Sequence, residues 1–207
     1  ACTNLGYMYD TGDGVAKDFV KASALYKKAC NFGSYTGCGN LGFMYETGDG
    51  VPKNLKKAQQ TFRKACKKGH GRSCNKLGLM FERGESGAPK QPKKAVKFYK
   101  KACDIDYGRG CSNLGVVYRK GIGVPKNTTK GRKLYERACD LRDATGCNNL
   151  GTLFDKGDSV ERDYAMAAKL YRKACLYGSY VGCSNLGMMY HAGDGVAKDF
   201  AQAKHYL

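Results

Sequence analysis

Ten of the eleven cysteines form five pairs, and the members of each pair are eight residues apart. Paired cysteines either form disulfides or bind a metal. Structural zinc sites usually combine C-x-x-C with nearby Cys or His, but this chain has no C-x-x-C and its three histidines fall outside the repeat phase. We therefore predict disulfides, no metal site and a free Cys2. The predicted bonds are Cys30–Cys38, Cys66–Cys74, Cys103–Cys111, Cys139–Cys147 and Cys175–Cys183.

A second candidate for chemistry is Ser73 with Lys76. These residues match S-x-x-K, in which a lysine one helical turn after a serine can activate the hydroxyl as a nucleophile. Neither K-T-G nor S-D-N, which accompany this motif in serine enzymes, occurs in the chain. Ser73 and Lys76 therefore remain candidates without a recognisable catalytic set, and the catalytic residues, if any, stay unassigned.

A third candidate is the residue that precedes each Leu-Gly pair. An amide at this position can hydrogen-bond a peptide backbone or a carboxylate, and Lys76 would add a charge. Phe43 lies one helical turn beyond its amide and could contact an apolar side chain. The alternative is that each amide bonds a neighbouring helix or turn. The candidate peptide-binding residues are thus Phe43 with Asn4, Asn40, Lys76, Asn113, Asn149 and Asn185.

These residues recur because the chain is built from repeats. The first cysteines of successive pairs are 36, 37, 36 and 36 residues apart, and such periods are typical of stacked helical repeats. In one repeat, Cys38, Leu41 and Tyr45 form a helical stripe that ends at a glycine-rich loop. Asn54 is the expected N-cap of a second helix. The glycine of Leu41-Gly42 predicts that a neighbouring helix comes close, with the small Ala58 as its expected contact.

The sequence therefore predicts an all-α fold, a solenoid of disulfide-stapled helical hairpins with a period of 36 residues. We expect a right-handed αα-superhelix whose first helices line the concave face. The expected domain organisation is a single repeat array over residues 1–207. It comprises a partial repeat 1–33, repeats 34–69, 70–106, 107–142 and 143–178, and a final partial repeat 179–207.

Composition restricts the compartment and the partners. Stable disulfides favour an oxidising location, so we expect a secreted or periplasmic protein. The net charge of +18 favours anionic surfaces, but nucleic acid is an unexpected target outside the cytoplasm. The sequence has no apolar run that would insert into a membrane and no cofactor motif. We expect a monomer that binds a peptide or a protein, with no cofactor.

The motifs also carry a resemblance. Leu-Gly-x-x-Tyr followed by Ala-x-x-x-Phe-x-x-Ala resembles the tetratricopeptide pattern, and the longer loop Gly-x-Gly-Val-x-Lys-Asp/Asn is similar to that of SEL-like repeats. With a cysteine pair in each repeat, the chain resembles the Helicobacter cysteine-rich protein family over its whole length. This resemblance implies a secreted module that binds peptides or host proteins. It also implies an alternative activity, that of a penicillin-binding protein or weak β-lactamase.

Overall fold

A computed structural model describes residues 1–87 and 89–207, and no strand occurs among them. Residues 1–105 and 106–207 form two compact units. The first unit contains α1 (Cys2–Thr11), α2 (Phe19–Asn31), α3 (Tyr35–Thr47), α4 (Leu55–Lys67), α5 (Gly71–Arg83) and α6 (Pro92–Asp104). The second contains α7 (Gly108–Lys120), α8 (Thr128–Asp140), α9 (Ala144–Lys156), α10 (Tyr164–Leu176), α11 (Tyr180–Ala192) and α12 (Phe200–Tyr206).

Each unit is a series of antiparallel helical hairpins. In the first unit the hairpins are α1/α2, α3/α4 and α5/α6, and α2 packs on α3 as α4 packs on α5. In the second unit the hairpins are α7/α8, α9/α10 and α11/α12, and α9 also contacts α7 and α11. The all-α hairpin fold predicted from the period is therefore confirmed.

The helices begin and end at residues that the repeat supplies. Asn54, the predicted N-cap, accepts a hydrogen bond from the backbone N–H of Lys57 at 2.9 Å, which satisfies one of the unpaired donors of the first turn. Helix α6 instead begins at Pro92, whose missing N–H costs nothing at that position. The first helices of the hairpins end at glycines with positive φ, at positions 12, 48, 84, 121, 157 and 193.

An aromatic ring fills the space between the two helices of each complete hairpin. The Tyr99 ring is fully buried against Gly78, where a β-carbon would lie 2.4 Å from the ring. The predicted close approach at the Leu-Gly pairs is therefore present, and the atoms nearest to a β-carbon at Gly42 are those of the Phe62 ring. The predicted small residue also lies close in other hairpins, since the backbone oxygen of Ala167 would be 3.4 Å from a β-carbon at Gly151. The equivalent pairs are Gly6 with Tyr26, Gly42 with Phe62, Gly115 with Tyr135 and Gly151 with Tyr171.

Disulfides link the second helix of one hairpin to the first helix of the next. Four bonds have sulfur–sulfur distances between 1.96 and 2.08 Å: Cys30–Cys38, Cys66–Cys74, Cys139–Cys147 and Cys175–Cys183. Cys103 belongs to the first unit and Cys111 to the second. The bond between them stays a prediction from the sequence. Cys2 is a free, half-buried thiol. No described helix has the length and the apolar character needed to cross a membrane.

Candidate functional site

The predicted peptide-binding residues occupy equivalent positions on the first helices of the hairpins. Asn4 is exposed on α1, whereas the other five polar residues are half-buried. Asn40 lies near the hydroxyl of Tyr26 in the preceding hairpin, and that hydroxyl donates to Asp10 Oδ2 at 3.2 Å. Burial, reinforced by the Asp10 carboxylate, raises the pKa of Tyr26, so the hydroxyl keeps its proton. Asn40 thus lies beside a hydrogen-bonded tyrosine–carboxylate pair.

A related cluster lies in the second unit. The hydroxyl of Tyr171 is 3.3 Å from both Thr152 Oγ1 and Asp155 Oδ2, and burial raises the pKa of Tyr171 to about 12. Asn185 is oriented differently from Asn40, because its Nδ2 donates to Asn148 Oδ1 at 2.9 Å. Asn185 thus has a protein partner, and both amides stay half-exposed, so their role in peptide binding stays a prediction.

In α4 the repeat position of the buried tyrosine is occupied by Phe62. In α5, the first helix of the next hairpin, the residue before Leu-Gly is Lys76 instead of asparagine. Phe62 has no hydroxyl to donate to Glu46, the carboxylate equivalent to Asp10. Lys76 Nζ instead lies 2.5 Å from Glu46 Oε1, and both side chains are about one-fifth exposed. The two substitutions are thus complementary, because the ammonium supplies the hydrogen-bond donor that the phenylalanine lacks.

This complementarity predicts an energetic coupling between positions 62 and 76. We expect Lys76→Asn alone to lower the free energy of unfolding by about 1 kcal/mol, because Glu46 loses its partner in a site that is largely shielded from water. In a Phe62→Tyr background the same change should cost much less, because the new hydroxyl can donate to Glu46. Urea denaturation of the four proteins of a double-mutant cycle measures the coupling. Additive effects would show that the two substitutions are unrelated.

The two catalytic candidates, Ser73 and Lys76, contact different residues. Ser73 is fully buried, and its Oγ lies 2.7 Å from Nδ1 of His70. Burial, and secondarily the nearby Arg72 charge, lowers the pKa of His70. Lys76 is engaged with Glu46. A buried serine presents no hydroxyl to a β-lactam, so nothing in this arrangement supports the penicillin-binding alternative.

A small cleft in the first unit brings together two of the predicted residues. It has a volume of about 150 Å³, and its walls include Asn40 and Phe43. The Phe43 ring lies edge-on to Phe62 with a centroid distance of 4.8 Å. The guanidinium of Arg72 lies over the Phe43 ring, 4.1 Å from its centroid. The remaining lining residues are Asp10, Met44, Thr47, Asp49 and Arg72.

A larger cleft, of about 370 Å³, lies in the second unit. Asn149 contributes to its wall together with Tyr135 and Arg119. Asn113 lies on α7, half-buried and with partners of its own. Among the described residues, no group of three or more His, Cys, Asp or Glu side chains is placed to hold a metal ion.

Sequence reasoning did not identify the tyrosines and carboxylates behind the amides, or Arg72 beside Phe43. The signal was present, because Tyr26, Tyr99, Tyr135 and Tyr171 share one repeat position. A buried aromatic residue at helical spacing, however, indicates only a core position. The partner of its hydroxyl lies on another helix, and the pairing becomes visible only when the helices are packed.

The repeats of this chain match the model of a known repeat family. The Sel1 repeat matches residues 1–33, 37–70, 71–107, 108–143, 144–179 and 181–207. The chain belongs to the Sel1 repeat family. Sel1 repeats are a fold of protein-interaction modules, and the disulfides of this member fit an extracytoplasmic protein. The predicted resemblance to SEL-like repeat proteins is confirmed.

Solved structures of Sel1 repeat proteins are similar to this chain. A Sel1 repeat protein from Oxalobacter formigenes is 29% identical, with a TM-score of 0.92 over 99% of this chain and 84% of that chain. A protective antigen of uropathogenic Escherichia coli is 30% identical, with a TM-score of 0.84 over 99% of this chain and 44% of its own. Helicobacter pylori cysteine rich protein B is 34% identical, with a TM-score of 0.53 over 67% of this chain and 99% of its own. No curated protein sequence matches closely enough to carry an argument.

Proposed function

We propose that this Sel1 repeat protein is secreted or periplasmic and binds an extended peptide segment of a partner protein. The contacts are made by the half-exposed residues before the Leu-Gly pairs. The observation that carries this proposal is the first-unit cleft, where an amide, an aromatic ring and a guanidinium meet. The amide can bond a peptide carbonyl, the ring can pack on an apolar side chain, and the guanidinium can donate to a further peptide oxygen.

The cleft is held in one conformation by its surroundings. Phe43 packs on the fully buried Phe62, and Arg72 packs on the Phe43 ring. The bonds Cys30–Cys38 and Cys66–Cys74 fix the helix connections on either side of α3 and α4. A preorganised surface loses little conformational entropy on binding, so a modest contact area can give useful affinity.

The solvent-exposed, positively charged face of α4 favours an acidic partner. Four cationic side chains and two glutamines line a groove of about 400 Å³ there: Lys56, Gln59, Gln60, Arg63, Lys64 and Lys67. Together with the net charge of +18, this face would attract a partner with negative surface potential. Such attraction raises the association rate more than it raises affinity, and salt screens it.

The proposal predicts which side chains a bound peptide will need. Random peptides displayed on phage should yield binders whose affinity falls about tenfold in Asn40→Ala, because one hydrogen bond is lost. Phe43→Ala should also weaken these binders, because it removes the ring on which an apolar side chain packs. Isothermal titration calorimetry with the selected peptides measures both effects.

Asn31→Ala is the matched control, because it removes an exposed amide from the end of α2 that lines neither the first-unit cleft nor the α4 groove. Its affinities should equal those of the unchanged protein, and circular dichroism should show that all three variants keep their helix content. The proposal would be wrong if every selected peptide bound Asn40→Ala and Phe43→Ala as tightly as it binds the parent.

A further inference from the structure

The second-unit cleft contains a charge reversal within the repeat. The residue four positions after the Leu-Gly glycine is a carboxylate in four hairpins, at Asp10, Glu46, Glu82 and Asp155. In three of them it accepts a hydrogen bond from the buried tyrosine of its hairpin. In α7 this position is Arg119, whose guanidinium lies near the Tyr135 hydroxyl in the same cleft. The charged neighbour of the tyrosine has thus changed from an anion to a cation.

A second departure from the repeat makes room for this arginine. Five hairpins have alanine at one position of the second helix, at Ala22, Ala58, Ala95, Ala167 and Ala203. In α8 the residue is Gly131, where a β-carbon would lie 2.2 Å from Arg119 Cγ. The alanine of the other hairpins would therefore clash with the arginine side chain. A helix-interior glycine costs about 1 kcal/mol against alanine, so its presence here is explained by the position of Arg119.

The Arg119 guanidinium has N–H donors that make no hydrogen bond within the described part of the protein. Its Nη2 donates to the carboxylate of Asp158, and the Tyr135 hydroxyl lies nearby. Its Nε is shielded from solvent and has no hydrogen-bond partner, the one such side-chain atom among the described residues. A buried unpaired donor is costly, and in a native protein it calls for a reason. Because a guanidinium carries five donors, a small shift can present it to an incoming acceptor.

The rest of the cleft suits an anionic group. Lys120 and Lys126 line it beside Arg119, against one carboxylate, that of Asp158. Asn149 adds an amide, and Val116 and Thr128 add apolar wall. The cleft of about 370 Å³ can hold a side chain or a chain terminus. Three cations against one anion leave a positive potential that a single carboxylate would reduce.

We propose that this cleft binds a carboxylate of the partner peptide, with Arg119 as the specificity-determining residue. The carboxylate is either the peptide's C-terminus or an Asp or Glu side chain. Asp158 holds the guanidinium in place, and the lysines and Asn149 supply further donors to the carboxylate oxygens. The inference rests on the proposed peptide binding for the nature of its ligand, and it concerns the second unit, away from Asn40 and Phe43.

Side-chain NMR tests this directly. The probes are three synthetic peptides of one neutral sequence: one with a free C-terminal carboxylate, one amidated and carrying an internal Glu, and one amidated without Glu. In ¹H–¹⁵N spectra the Arg119 Nε–Hε signal, assigned by its loss in Arg119→Gln, should shift on titration with a carboxylate peptide. The affinity obtained should fall at least tenfold in Arg119→Gln. The first two peptides show which source of carboxylate the cleft takes.

Arg162→Gln is the matched control, because it removes an exposed arginine from the next hairpin without altering the lining of the cleft. It should leave the affinity unchanged. An Arg119 signal that stays constant up to millimolar peptide, an equal response to the neutral amidated peptide, or equal losses in the two variants would overturn the inference. Asn40→Ala affects only the first-unit cleft, so failure of the general proposal and failure of this one are distinguishable.

Discussion

Gly50→Ala is expected to lower the free energy of unfolding by about 3 kcal/mol. Two penalties combine at this loop position. Gly50 has φ of +67°, a region in which a β-carbon costs about 1 to 2 kcal/mol. That β-carbon would also lie 2.0 Å from the backbone oxygen of Phe19, and a backbone carbonyl cannot rotate away as a side chain can. Urea denaturation followed by circular dichroism measures the loss.

Gly14→Ala separates the two penalties. Gly14 occupies the equivalent position with φ of +72°, but the nearest atom to its β-carbon would be the flexible end of Met8 at 3.5 Å. We expect it to lose only about 1 kcal/mol. A residue with a β-carbon can adopt positive φ at this repeat position, since Ser159 has φ of +67° there. Equal losses in the two variants would show that the contact with Phe19 is relieved at no cost.

Removal of the Cys66–Cys74 bond by replacing both cysteines with serine is the second large effect. Closing so short a loop restricts the unfolded chain by about 2 to 3 kcal/mol. Both sulfur atoms are buried, with residue exposures of 1% and 0%, so the serine hydroxyls add a desolvation cost. We expect a total loss of at least about 3 kcal/mol, measured by urea denaturation under non-reducing conditions.

The free thiol supplies the control for this experiment. Cys2→Ser changes sulfur to oxygen without breaking a bond, since Cys2 is the free, half-buried cysteine of the described chain. It should alter the free energy of unfolding by a few tenths of a kcal/mol at most. If the double replacement were as mild as Cys2→Ser, the bond would not contribute to stability, and the disulfides would have to be explained by the angle that they impose between helices.

Features encoded within one or two helical turns could be predicted from the sequence. Cys38, Leu41 and Tyr45 share a stripe on α3, Asn54 caps α4, and Pro92 begins α6. Each of these depends on neighbours a few residues away, where the geometry of the helix leaves few alternatives. The eight-residue spacing of the cysteines is equally local, because a pair so placed spans one tight helix connection.

The candidate sites could be predicted only in part. Asn40 and Phe43 were singled out, and the structure places them in one cleft, but their partner Arg72 lies about thirty residues further along the chain. Ser73 and Lys76 matched a catalytic spacing, yet they have different partners, His70 and Glu46. A motif states which residues share a helix turn, whereas the packing of the next helix decides which of them is buried.

The sequence by itself determined the repeat, its period, the helix ends, the cysteine pairs and the excess of positive charge, because all of these depend on composition or on short-range geometry. The tertiary structure decided that aromatic rings fill the space beside the Leu-Gly glycines and that Lys76 complements Phe62. It also decided that Gly131 makes room for Arg119. These contacts join residues on different helices, and their distances follow from how side chains of particular volume and charge pack together.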